Sequence, residues 1–199
     1  MSFSNDFEHR EALLEQALRE FESAGYEAAS INSILSLAKM SKGQFYYHFQ
    51  NKEELYLALL EHVIALKTSF LASEMSQIDY ERDLFSIFHT QAKHGFNFLK
   101  KHPEINAFIN RFLRDKGSAI YSKAMSRFNF DNDAAMYALI EAAYQRGEFK
   151  SGMPLPFIQK TVTHLFSHYA DLIDPANEDM EKNLGYLIEF MRSGLGNLG

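Results

Sequence analysis

Cysteine is absent from the 199 residues, which excludes disulfides, zinc thiolate sites and thiol nucleophiles together. Proline is scarce: Pro103, Pro154, Pro156 and Pro175 all fall at the boundaries of stretches with helical periodicity. Glycine-rich and β-alternating stretches are lacking, as are internal repeats and long linkers. There is no phosphate-binding loop, no serine in a nucleophile elbow and no HExxH pair, so no enzyme is expected. The N-terminus, MSFSNDFEHR, has no basic stretch leading into an apolar core and does not read as a signal peptide. Charged residues are expected to interrupt every apolar run short of membrane-spanning length, which predicts a soluble, cytoplasmic protein with no membrane partner. No cofactor is expected. A chain of this length buries roughly 70% of its extended surface, so its core needs no covalent or metal staple.

Negative charge dominates, with a net of −6, yet its distribution is uneven. Between Ser30 and Lys52 stand three lysines (Lys39, Lys42, Lys52) and no carboxylate. Glu8, Glu11, Glu15, Glu20, Glu22 and Glu27 precede that stretch, and Glu53, Glu54 and Glu61 follow it. Phosphate contact is local, so a small basic head on an acidic body is compatible with DNA. Few phosphate contacts per subunit imply that tight binding needs a dimer.

The basic stretch reads SINSILSLAKMSKGQFYYHFQNK and predicts two short helices joined by a tight turn. Ser30 can cap the first, in which Ile31, Ile34, Leu35 and Ala38 recur at helical spacing. Ser41 can cap the second, about Ser41 to Tyr47, where Phe45 and Phe49 pack inward and Lys42, Gln44, Tyr46, Tyr47 and His48 stay outside. Such a helix suits a major groove. Gln44 can make paired hydrogen bonds to adenine, and Lys42 can reach guanine or phosphate. Gly43 leaves room for close backbone approach, and Asn32 can reach the groove edge. An ordinary solvated surface, with the tyrosines half buried, is the plainer alternative.

The run Ser41-Lys42-Gly43-Gln44-Phe45-Tyr46-Tyr47-His48-Phe49, followed by Asn51-Lys52-Glu53-Glu54-Leu55 and preceded by Ala24-Gly25-Tyr26, resembles the DNA-binding domain of the tetracycline-repressor (TetR) family. The resemblance covers roughly Glu11 to Leu60. Two positions depart from the family pattern: Lys39 stands where the turn usually has glycine, and Ala29 where threonine precedes Ser30. The resemblance implies an all-α protein. Residues 1–52 would form an N-terminal three-helix helix-turn-helix domain, and 53–199 a helical effector-binding and dimerisation domain, with a long helix from about 52 to 72 connecting them. It casts Tyr46, Tyr47, His48 and Lys52 as phosphate contacts. Ser30, Asn32, Ser41, Lys42, Gly43 and Gln44 complete the DNA-binding set. The implied function is a ligand-responsive regulator, a repressor that binds a palindromic operator as a homodimer through its last two helices and is released by a small, largely apolar effector. The rival reading is a small-molecule sequestering protein with a vestigial head.

Elsewhere the periodicity predicts only helices. The first runs from about Asp6 to Ala24 through Leu14, Ala17, Leu18 and Phe21, with Gly25 at its end. The connecting helix carries a stripe of Leu55, Leu59, Val63, Leu66 and Phe70. Further helices are expected over about Glu81 to Lys101, Pro103 to Asp115, Ser118 to Arg146 (broken near Asn129 to Asn132), Pro154 to Ile173 and Asn177 to Arg192. Arg146-Gly147-Glu148-Phe149 resembles a helix ending of TetR-family ligand domains. Phe85, Phe88, Phe96, Phe108, Phe112, Met125, Phe128, Met136 and Tyr137 are either plain core or the lining of an effector pocket, with His89, Asn110 or Tyr144 to orient a guest. His164 and His168 have chelate spacing but no third ligand nearby, so a structural role is expected and no metal.

Overall fold

The computed structural model describes residues 3, 6–75, 83–129, 133–172 and 179–197. Among them are ten α-helices and no strand. They are α1 (Arg10–Ala28), α2 (Ile31–Leu37), α3 (Lys42–His48), α4 (Lys52–Met75), α5 (Leu84–Lys101), α6 (Pro103–Arg114), α7 (Ala119–Phe128), α8 (Ala134–Gln145), α9 (Leu155–Ser167) and α10 (Met180–Leu195). The stretch Ser118 to Arg146, expected to break near Asn129 to Asn132, forms the two helices α7 and α8. Asn129 ends α7 in the left-handed conformation, and the rest of the predicted break, like Asp174-Pro175, lies outside the described residues. The fold divides into two compact units: Met1–Phe70 with Phe98–Asn129, and Leu71–Asn97 with Phe130–Gly199.

In the first unit, α1 buries Leu13, Ala17, Leu18 and Phe21 against α2 and α6. Tyr56 of α4 is its centre, fully buried with its ring edge-on to Phe21, Tyr26 and Phe108. Burial pushes the Tyr56 hydroxyl pKa far above the usual tyrosine range, with the Asp115 charge adding to the shift. The simple stripe expected for α4 is replaced by burial on every side: Leu55, Tyr56, Leu57, Ala58, Leu59 and Leu60 are all buried, while Leu66 is exposed. This also corrects the expectation that charges interrupt every apolar run. Residues Lys52–Glu74 are long and apolar enough to cross a membrane by length and composition alone. Helices packed around its first half account for that apolarity.

Gly25 occupies φ 74°, and an added Cβ would fall 2.6 Å from Cζ of Arg111 on α6. Glycine therefore allows both the turn and the close approach of α6. Before α1, Phe3 is fully buried, its ring 5.5 Å from Phe49 and 5.9 Å from His62. The first helix begins at Arg10, later than the sequence suggests, because His9 before it takes the left-handed conformation; Arg10 Nε donates back to the Phe3 carbonyl at 2.7 Å.

In the second unit, α8, α9 and α10 pack around Ile140, Ile158, Val162 and Ile188. The Arg146-Gly147-Glu148-Phe149 ending has a structural explanation. Gly147 takes φ 77°, Glu148 Oε2 accepts from the Leu84 amide at 2.7 Å, and Phe149 bridges Gly196 in an isolated antiparallel pair.

Replacing Gly25 by alanine should lower the unfolding free energy by about 1–2 kcal/mol, the cost of a left-handed L-residue, measured by denaturant titration. A second expectation concerns pH. Burial holds the His62 pKa below its ordinary value of 6.5, and the Arg10 guanidinium adds to that. A histidine kept neutral in the fold but protonated when unfolded contributes stability above the unfolded pKa, and that contribution declines as pH falls below 6.5. Unfolding curves from about pH 7 to about pH 5.5 should show this loss in the parent chain and a smaller one in His62→Gln.

Candidate nucleic-acid interface

The start of each of the two short helices is tied down by specific side chains. Ser30 Oγ accepts from the Ser33 amide at 3.3 Å at the start of α2. Glu20, reaching across from α1, accepts from the Ser30 amide at 2.7 Å and the Ser33 hydroxyl at 3.0 Å. A carboxylate there complements the helix dipole and two unsatisfied donors. At the start of α3, Ser41 Oγ accepts from the Gln44 amide at 3.2 Å while Gln44 Oε1 accepts from the Ser41 amide at 2.9 Å, a reciprocal capping box. Between the helices Lys39 sits at φ 54°, where glycine would be free of strain. That conformation costs about 1 kcal/mol in a residue with a Cβ.

With α3 clamped at its start, its register decides which side chains face out. Phe45 and Phe49 are fully buried. Tyr46 and Tyr47 are 58% and 76% exposed, an unusual setting for large aromatic rings with a dedicated core beneath them. Ser41, Lys42 and Gly43 are exposed beside them, as is Asn32 on α2. Leu37, at the end of α2, is also exposed and was missed by the sequence reading.

His48, Lys52 and Gln44, like the capping Ser30 and Ser41, have side-chain partners inside the protein. His48 is half-buried, stacked on Phe7 at 4.2 Å between ring centroids. Lys52 Nζ donates to the carbonyls of Glu27 at 2.9 Å and Ala29 at 3.2 Å and lies over the Tyr26 ring. It supplies the cation that the end of α1 lacks in its own last turn. Gln44 Nε2 donates to Glu8 Oε2 at 3.2 Å. The stretch empty of carboxylates in sequence is therefore not empty of them in space: Glu8, Glu20 and Glu54, whose Oε2 accepts from the Gln50 amide at 2.8 Å, all reach it.

The aromatic and polar residues considered for an effector pocket divide between the units. Phe108 and Phe112 are buried in the first unit's core, with Met125 and Phe128 packed against it and Asn110 half-buried. Phe85 and Phe88 are buried in the second unit's core, with Met136 and Tyr144 packed against that core. Phe96 is half-buried. His89 Nε2 lies 2.8 Å from Glu189 Oε1. Tyr137 lines a cleft of about 360 Å³ with Asp133, Lys160, Thr163, His164, Ser167 and His168. The His164 and His168 rings stack at 4.1 Å, and among the described residues no group of three or more His, Asp or Glu is placed to hold a metal.

Residues 13–59, which build α1 to the first turns of α4, match the family of bacterial regulatory proteins described as the tetR family. The HTH-type transcriptional repressor NicS of Pseudomonas putida is 24% identical over 168 residues, spanning 82% of this chain and 73% of that protein. A TetR family transcriptional regulator from Chloroflexus aurantiacus superposes over 98% of this chain and 97% of its own, with a TM-score of 0.70 and 22% identity. SmeT, the repressor of the Stenotrophomonas maltophilia multidrug efflux pump SmeDEF, covers 100% of this chain and 94% of its own at a TM-score of 0.70 and 19% identity. A SmeT complex with triclosan gives a TM-score of 0.74 at 19% identity, covering 96% of this chain and 93% of that one. The structural likenesses carry the helical architecture, and the family match falls on the helices that present Tyr46 and Tyr47. Over α1 to the start of α4 the chain therefore matches the tetR family of bacterial regulatory proteins, and its helical architecture is that of solved TetR-family regulators.

Proposed function

We propose that two copies of the chain place their α3 helices in successive major grooves of a palindromic operator and repress transcription until a small, largely apolar effector binds the helical region beyond the head. The observation that carries this is the surface of α3. Lys42, Tyr46 and Tyr47 stand exposed above a buried Phe45 and Phe49, with Gly43 between them. Gly43 is informative because nothing among the described residues requires it. A Cβ there would meet only Ser41 Oγ, at 4.0 Å. Glycine weakens a helix by about 1 kcal/mol relative to alanine, so its presence fits a requirement outside the chain, such as close approach of a DNA backbone or base edge.

Dimerisation is supported by Phe157 on α9 and by Tyr186 and Phe190 on α10, three large exposed side chains in the C-terminal helices. Tyr186 and Phe190 are four apart and share one face of α10. Such a face is what a two-fold partner buries. The triclosan complex of SmeT motivates an apolar effector for this chain. An effector releases DNA only to the extent that it prefers the subunit arrangement whose heads mismatch the operator spacing.

Selection from a random duplex library with the purified protein should recover a two-fold symmetric sequence; recovery of none would sink the proposal. Gly43→Ala should move two measurements in opposite directions. Unfolding free energy should rise by about 0.5–1 kcal/mol, while affinity for the selected operator falls several-fold. Phe190→Glu should shift the sedimentation profile from dimer toward monomer without loss of helicity and weaken operator binding with it. A dimer that persists would move the interface elsewhere.

A further inference from the structure

Phe3 and residues 6–10, which precede the tetR-family match beginning at residue 13, form an arm against the reading head. Phe3 is fully buried between Phe49 and His62, and Phe7 stacks on His48 at the end of α3. The arm is closed by the Arg10 guanidinium on the Phe3 carbonyl and by the Arg10 amide, which donates to the Phe7 carbonyl at 3.1 Å. Between these anchors stands Glu8. Its side chain is 77% exposed, its Oε1 lies 3.6 Å from His9 Nε2, and its Oε2 accepts from Gln44 Nε2 at 3.2 Å. The arm thus delivers a negative charge to the side chain best equipped to read a base.

We propose that Glu8 is a specificity-determining residue of the reading head, selecting by what a carboxylate accepts and what it repels. In the major groove an ionised carboxylate can only accept, so it pairs with the exocyclic amino group of cytosine or adenine and disfavours the acceptor edges of guanine and the thymine carbonyl. It also repels phosphate, which weakens binding to every sequence lacking that amino group. A second effect acts through Gln44. Its Oε1 is held by the Ser41 amide and its Nε2 by Glu8, so the amide is oriented at both ends before it meets a base. Losing the carboxylate should broaden what Gln44 accepts. Specificity here comes from a repulsive element as much as from an attractive one.

This inference rests on the DNA-binding reading above, and its test separates the two. Library selection and fluorescence anisotropy are run on the parent chain, Glu8→Gln and Glu11→Gln. Glu11 makes the same charge change three residues away, is equally exposed and pairs with Arg10 rather than Gln44. Glu8→Gln should bind random-sequence duplex about 3–10-fold more tightly and lose selectivity at one base pair in each half-site, while Glu11→Gln leaves the selected sequence unchanged. Two outcomes overturn the assignment: Glu8→Gln selecting the parent sequence with the parent ratio of operator to random binding, or Glu11→Gln reproducing its effect. If the parent chain itself selects no symmetric site, the DNA-binding reading has failed instead.

Discussion

Burial of Phe45 and Phe49 is the constraint on which the reading head depends. An isolated helix of seven residues has no stability of its own, because nucleation is unfavourable and few hydrogen bonds follow it. Tertiary packing must supply the difference. The two phenylalanines are four apart and fully buried, so they fix the rotation of α3 as well as its presence. Lys42, Tyr46 and Tyr47 face outward because that rotation leaves them nowhere else to go. The capping box at Ser41 and Gln44 then fixes where the helix begins.

Around that helix the head is held by a few charged side chains acting on backbone ends. Glu20 satisfies donors at the start of α2, and Lys52 satisfies acceptors at the end of α1. Each meets the half-charge of a helix terminus with its opposite. Lys52 makes the limit of family analogy visible. A phosphate contact would have to draw it from two carbonyls and the Tyr26 ring, whereas Lys42 and the two tyrosines stand exposed.

Local patterns in the sequence were good guides to local structure. The inward face of α3, the positive φ of Gly25 and the placement of Pro103, Pro154 and Pro156 at helix starts were all legible, because each follows from contacts within a few residues. What escaped the reading arises across the chain. Near the end of α5 Phe98, rather than Phe96 or Leu99, is the buried residue, since the neighbouring helices and not the period alone decide which face is covered. Glu8 and Glu20 looked like part of an acidic flank, and only the fold brings them to Gln44 and Ser30. The uninterrupted apolarity of α4 likewise reflects packing on all sides, which no single stripe describes.

The approach of Arg111 to Gly25, and of Phe108 to Tyr56, has a consequence for how the protein is made. The head is translated before the floor it rests on, which is encoded near residues 98–129. A nascent chain emerging from the ribosome holds α1 to α3 without α6 for the whole time that the intervening segment is being translated. During that interval Tyr56 and its apolar neighbours on α4 lack part of their cover, and the half-built head is then most open to chaperones, proteases and its own neighbours on the polysome.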